Sequence, residues 1–448
     1  MEKVYQGAAN QIITYSMAIT RRKFLKKTGL IAGGSIVLPV IVPSCSFGAN
    51  DRITIGMIGT GDHGINWNLA AYLKLDSCRV IAACDVDSSR AATAKAIIDK
   101  RYGNNDCIVY HDFRELLEKR EIDAVQISTP DHWHVPIAAL ALKKKKDICC
   151  EKPTLTIQQG RYLSDLVARS EQIFQTSLED RSVFQYHRMA ELVRNGRIGR
   201  VRKIRVGLPG SFAQNMYYYN PDPAEQPVPA GFNYDMWLGP APYATYTKGR
   251  CHYNFRWITD YSGGNMTDWG AHLIDTAQIL NGTEKTGPVE VAGTGSAPST
   301  GIYNAFDKFR LTYTYDNGVT MEVHSDFVEI YCEGTDGWLL VKEWRGKLEA
   351  SSDEILNSVI AEDEIHLYTD DSEHVNFLKC IRSRKPTYHP MEDMHRTSAI
   401  AHMGNIAMKL QRKLRWDPSR EEFVNDAEAN VMRARQEREP WTLKNILG

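Results

Sequence analysis

Short apolar runs alternate with stretches of helical period from Ile53 to about residue 177. Runs at 53–59, 79–85, 123–129, 147–151 and 171–176 predict strands. The patterns at 63–75, 88–101, 112–119, 135–144 and 157–169 predict helices. Strands alternating with helices over short connections predict a parallel, doubly wound sheet. From Val201 the pattern changes to longer alternating runs, 201–207, 308–315 and 319–324, with Asp316-Asn317-Gly318 as a hairpin turn between the last two. That alternation predicts an antiparallel sheet with one solvated face, so the second domain is α+β. The proline-rich stretch from Pro221 to Pro229 reads as a loop over the surface or over a partner subunit. Met391 to Leu410 reads as an amphipathic helix able to pack back on the first domain. The expected class is therefore α/β, with a leader at 1–49, a first domain at 50–177 and a second at 178–448.

At 448 residues the chain exceeds one typical domain. Its 43% hydrophobic and 10% aromatic content suit a large packed core. Lys+Arg 54 against Asp+Glu 55 leaves a formal charge of −1, which speaks against a nucleic-acid partner. The first fifty residues stand apart. Thr20-Arg21-Arg22-Lys23-Phe24-Leu25-Lys26, followed by the apolar stretch Leu30 to Ser44, matches a twin-arginine export signal, with Met17 as the expected start. Val42-Pro43-Ser44-Cys45 resembles a loose lipobox, so membrane attachment through a lipid on Cys45 is one expectation. Cleavage after Gly48 and retention as a single-helix anchor are the others. The expected location is periplasmic. Nine cysteines contain no CxxC pair. Cys84, Cys149 and Cys150 fall on predicted buried strands, and no disulfide framework or zinc spacing is visible.

Ile53 to Gly64 is an apolar strand running into Gly59-x-Gly61-x-x-Gly64. In this pattern Gly59 serves the tight turn, Gly61 lets the backbone approach a pyrophosphate, and Gly64 lets the helix pack close to the strand. Asp62 and His63 lie within the turn and are assigned to the cofactor with it. Asp85 ends the next apolar run, 24 residues after Gly61, and is placed to accept from the adenosine ribose hydroxyls. A carboxylate there favours NAD over NADP, with Arg90 as an opposing signal and strand capping as the bland alternative. Thr129-Pro130-Asp131-His132-Trp133-His134 follows the third run and reads as a turn against the cofactor, lined by Thr129, Pro130 and His134. The spacing of its acid and histidines suits no standard metal site, so no metal is expected.

Glu151-Lys152-Pro153 closes the fourth run. Proline denies the lysine a helical conformation and so holds it at a strand end. Beside an oxidised nicotinamide its pKa is expected to fall, which suits it to accept or relay a hydroxyl proton. In Gly263-Gly264-Asn265-Met266-Thr267-Asp268-Trp269-Gly270-Ala271-His272 the double glycine precedes a helix. Asp268 and His272 then stand at i and i+4, and the carboxylate is expected to orient the imidazole, with Asp275 on the same face. An exposed lysine and a purely structural Asp–His pair are the alternatives. Between Phe212 and Trp257 the chain carries Tyr217, Tyr218, Tyr219, Tyr234, Trp237, Tyr243, Tyr246, Tyr253, Phe255 and Trp257, with Arg250 and Arg256 among them. As a group they suit stacking on sugar rings; singly, each suits core packing. Substrate contacts are expected from Lys152, Arg256, Trp257, Asp268 and His272.

In this order, the glycine turn, Thr-Pro-Asp-His-Trp-His, Glu-Lys-Pro and Gly-Gly-x-x-x-Asp-x-Gly-x-His resemble the glucose–fructose oxidoreductase / inositol dehydrogenase / MocA family over roughly residues 52–442. The tail from Trp416 to Trp441 looks like its exported bacterial branch. The resemblance implies a Rossmann domain, and a second domain whose open sheet forms homodimer or homotetramer interfaces. It also implies that Lys152, Asp268 and His272 are catalytic. Ser177-Leu178-Glu179-Asp180-Arg181-Ser182 departs from the glutamine-rich stretch of that branch and puts extra acids beside the crevice. The expected activity is NAD(P)-dependent oxidation of a sugar or glycoside ring hydroxyl, at C3 of a pyranoside, on tightly held NAD. The alternatives are glycoside cleavage by transient oxidation and elimination, with a tyrosine of 217–219 as extra base, and an exported sugar-binding protein without catalysis.

Overall fold

The computed structural model describes residues 51–210 and 222–448. The export motif, Met17, Cys45 and its neighbours, Phe212, Tyr217–Tyr219 and Pro221 lie outside the described residues.

The first sheet has six parallel strands in the order β3-β2-β1-β4-β5-β6. They are β1 (Ile53–Ile58), β2 (Cys78–Cys84), β3 (Ile108–Tyr110), β4 (Ala124–Ile127), β5 (Asp147–Glu151) and β6 (Phe174–Ser177). β1 lies between β2 and β4. Covered on both faces, the central strands read as unbroken apolar runs, which is why they were legible. β3 was not predicted, being three residues long with its first two residues at least partly exposed. The chain leaves β1 toward β2 on one side and returns to β4 on the other, which opens a crevice beyond the strands' carboxyl ends. Among the described residues eight cysteines are free and buried, and no helix is long and apolar enough to cross a membrane.

The second sheet has nine strands in the order β13-β12-β11-β7-β10-β9-β8-β14-β15. These are β7 (Val201–Gly207), β8 (Glu290–Ser296), β9 (Lys308–Thr314), β10 (Thr320–His324), β11 (Glu329–Gly334), β12 (Trp338–Lys342), β13 (Leu348–Ala350), β14 (Leu414–Asp417) and β15 (Glu422–Phe423). It is open and mostly antiparallel, as expected, with β7 running parallel to β10. The long connection between them, which carries two α-helices and two other strands among its described residues, makes the parallel pairing reachable. β9 and β10 form the expected hairpin. Tyr315 and Gly318 close its turn by backbone hydrogen bonds, and Gly318 takes φ +85.

Three helices position the site: α1 (Asp131–Lys143), α2 (Asn265–Asn281) and α3 (Met391–Leu410). α3 spans the stretch expected of it and joins the two sheets' cores. Met391 and Met394 pack with the first, and Ile400, Met403 and Ala407 with the second. The C-terminal residues Trp441 and Ile446 also join the first core, where Trp441 meets Trp133 of α1 edge-on at 5.7 Å. On α3, a Cβ at Gly404 would collide with the hydroxyl of Tyr313, which donates to the Ile400 carbonyl at 3.1 Å. Gly404→Ala is therefore expected to cost about 1–3 kcal/mol in urea unfolding. A variant as stable as the parent would contradict this packing.

Candidate active site

The glycine turn begins where β1 ends. Gly59 takes φ +86, and a Cβ there would lie 2.6 Å from the Ser128 carbonyl group at the end of β4. A Cβ on Gly64 would strike the Gly59 carbonyl, so the following π-helical turn, Gly64–Leu69, sits against the strand only because residue 64 is glycine. Gly61 meets nothing but the Arg90 guanidinium at 3.3 Å, which leaves its backbone open to the crevice. The buried Thr129 hydroxyl has no protein partner. An open glycine backbone and an unpaired hydroxyl beside it fit a dinucleotide.

Asp85 stands at the end of β2, with both carboxylate oxygens already used. Oδ2 accepts from the Thr60 backbone N–H at 2.8 Å and Oδ1 from that of Asp87 at 2.9 Å. Burial raises its pKa against these hydrogen bonds. The carboxylate thus shapes the turn. Asp62 meets Arg90 at 3.3 Å, and His63 meets Glu151 at 2.9 Å. Burial lowers the His63 pKa, but the Glu151 charge and hydrogen bond together more than offset it, so the shift is upward.

The Thr-Pro-Asp-His-Trp-His segment is not a free turn. Helix α1 begins at Asp131, four residues before the predicted 135, with Pro130 as its N-cap. Asp131 accepts from Ser262 at 2.6 Å, and burial lifts its pKa to about 7. His132 reaches the Trp237 carbonyl at 2.9 Å. The ring nitrogens of His134 lie 2.8 Å from the carbonyls of Pro153 and Thr129, tying the ends of β5 and β4 together. The acid and both histidines therefore serve different neighbours.

Lys152 projects from the end of β5, with its Nζ 2.6 Å from Asp268 Oδ1 and 3.1 Å from the Asp268 carbonyl. Burial pulls the lysine pKa down, but Asp268 and Glu151 outweigh it and the net shift is upward. Among the protein's own groups the decisive neighbours are two carboxylates, which favour the ammonium; the expected lowering concerns the site with a nicotinamide beside it. Asp268, in the first turn of α2, also meets Arg256 at 3.3 Å. Burial would raise its pKa, but Lys152 and Arg256 hold it well below the carboxylate range.

The expected pairing of Asp268 with His272 does not form. Asp268 turns to Lys152 and Arg256, while His272 Nδ1 bonds to Asp180 Oδ2, in the loop after β6. Two cations draw the aspartate one way, and a buried carboxylate draws the imidazole another. Glu179, Asp180 and His272 are the one group of three metal-capable side chains that converges among the described residues. The acids flagged at 179 and 180 were the signal for this cluster, but their partner was not readable. Asp275 faces away from the crevice, toward Arg181 and His389.

The aromatic stretch is chiefly core. Phe232, Tyr234, Trp237, Tyr246, Phe255, Trp257 and Tyr261 pack in one cluster, and Trp257 is only 4% exposed. The Trp257 ring packs within this cluster. Tyr243 is exposed, and residues 222–229 form an exposed coil. Arg256 remains at the site, stacked over Tyr253 and Phe255 at 4.7 Å from each ring centre.

A parallel sheet with a glycine turn at its switch point, and a lysine–aspartate pair beside it, define a dinucleotide-binding oxidoreductase of two-domain type. Family models described as "Oxidoreductase family, NAD-binding Rossmann fold" and "Oxidoreductase family, C-terminal alpha/beta domain" match residues 53–178 and 184–443. The chain belongs to this Gfo/Idh/MocA oxidoreductase family. It is 32% identical over 145 residues to "Glycosyl hydrolase family 109 protein 2" of a Shewanella species, covering 31% of this chain and 30% of that one. It is 31% identical over 106 residues to inositol 2-dehydrogenase of Rubrobacter xylanophilus, covering 24% and 28%. The chain thus spans less than a third of the length of these two curated relatives. Among solved structures, aldose-aldose oxidoreductase of Caulobacter crescentus superposes with TM-score 0.60 at 15% identity, covering 81% of this chain and 99% of that one. These last figures show a common fold.

Proposed function

We propose that the chain oxidises a ring hydroxyl of a sugar or glycoside, with C3 of a pyranoside as the position, using NAD. The observation that carries this reading is the Lys152–Asp268 pair at the carboxyl end of β5, with His272 one helical turn along α2. NAD, held by the Gly59–Gly64 turn, Asp85 and Thr129, supplies the hydride acceptor. Lys152 and Arg256, both cationic, hold the substrate oxygen and stabilise the negative charge that grows on it as its proton leaves. His272 takes that proton. Asp268 keeps Lys152 charged and aimed. Asp85 favours NAD over NADP, and the twin-arginine motif supports export to the periplasm with the cofactor tightly held. The open face of the nine-stranded sheet is proposed as the homo-oligomer interface.

The test is a mass spectrum of products after incubation with NAD and a panel of methyl glycosides and disaccharides. A product lighter by one hydrogen molecule, with NADH formed, is the expected result. No change in any member of the panel would count against the reading. A second reading, cleavage by transient oxidation and elimination, draws support from one feature. Lys152 and His272 are held by different acids, which provides two independent proton-handling groups. It is expected to show a cleaved glycoside with no net NADH.

A further inference from the structure

We propose that Asp180 is the positioning residue of His272, fixing its proton on Nδ1 and leaving Nε2 as the acceptor at the crevice. This rests on the reading of His272 as the base. The His272 side chain is 13% exposed and that of Asp180 only 1%. Asp180 Oδ2 bonds to Nδ1, while Oδ1 is buried with no hydrogen-bond partner. Nε2 makes no hydrogen bond among the described residues. The ring is clamped between Asp180 and Trp344, which meets it edge-on at 4.9 Å, with Trp269 at 6.3 Å.

A buried carboxylate on Nδ1–H selects one tautomer and raises the basicity of the other nitrogen. A half-satisfied carboxylate also gains most when its neighbour becomes a cation, which happens as His272 takes up the substrate proton. The stabilisation is therefore larger in the transition state than in the resting site. The proton balance is simple. The substrate O–H proton passes to Nε2, the hydride to the nicotinamide, and Nδ1–H remains on the ring. The other charged groups near His272 are committed elsewhere: Asp268 to Lys152 and Arg256, and Glu179 to Arg345. The loop bearing Asp180 is itself held by Arg181, which pairs with Asp275 on α2 and Asp393 on α3.

Glu179, Asp180 and His272 also form a donor set for a cation, their ligand atoms lying within 4.8 Å of one another. Arg345 already occupies Glu179, however, and its charge would repel a metal ion. The geometry points to a dyad.

The experiment is ¹⁵N NMR of the imidazoles in the full-length protein without added ligand, compared with Asp180→Asn and Asp180→Glu, with His272→Asn to assign the signal. The expected result is a single Nδ1–H tautomer in the parent, lost to a mixture of tautomers in Asp180→Asn. Asp180→Glu, which keeps the charge, should retain the single tautomer. With NAD and a glycoside that the parent oxidises, kcat should fall about 10²–10⁴-fold in Asp180→Asn, with KM and NAD affinity little changed. An unchanged Nδ1–H tautomer in Asp180→Asn would overturn the proposal. So would a stoichiometric divalent cation whose removal by chelator, rather than loss of Asp180, changes the His272 signal. Because the NMR arm needs no substrate, a dyad seen without turnover would refute the dehydrogenase reading and leave the pairing intact.

Discussion

Lys152→Met is expected to lower kcat on the oxidised glycoside by about 10²–10³-fold, the usual loss on removing one preorganised donor to a developing oxyanion. The side chain sits at 11% exposure with Asp268 at 2.6 Å. Methionine keeps the stem's volume but removes the ammonium. Asp268 retains Arg256 as a counter-ion at 3.3 Å, so the helix and the fold should persist. NAD affinity, measured by calorimetry, is expected to stay within a few-fold, because the glycine turn is untouched. Near-normal kcat at saturating substrate would remove Lys152 from the chemistry.

Arg181→Met is expected to have the largest effect on stability, a loss of about 3–5 kcal/mol, because it strands buried carboxylates. The guanidinium donates to both oxygens of Asp275 at 2.8 and 2.6 Å, and to Asp393 at 2.8 Å. Asp275 is 1% exposed. Burial would raise its pKa, but Arg181 and His389 drive it far below the normal range. A depressed folded-state pKa stabilises the protein above the unfolded value of about 3.9, and that contribution is lost as pH falls below it. Urea midpoints measured from neutral pH down through that window should therefore decline in the parent and decline less steeply in Arg181→Met. Parallel curves would mean that this pair does not carry the dependence.

Local chemistry was legible, and distant pairing was not. Gly59, Gly61 and Gly64 announce their turn because each glycine answers a constraint within a few residues. Pro153 after Lys152, and Gly264 before α2, mark their element ends for the same reason. The partners of the charged groups lie far along the chain: Asp268 is 116 residues from Lys152, and Asp180 is 92 from His272. Helical spacing alone favoured Asp268 for His272, and tertiary electrostatics reassigned both. The ion pair that surrounds Lys152 was not legible for the same reason, since the approach of Asp268 does not show in a pattern. The aromatic run from Tyr234 to Trp257 carried two readings, and burial selected packing for most of it. β3 escaped notice because three residues, only the last of them buried, leave little periodicity to detect.

The most direct test of hydride transfer uses a glycoside that the protein oxidises, carrying deuterium on C3, incubated with NAD. Mass spectrometry of the nicotinamide should show one deuterium in the reduced cofactor, matched by its loss from the sugar. Reduced cofactor without deuterium, or deuterium released to water with no reduced cofactor formed, would contradict oxidation at that carbon by hydride transfer.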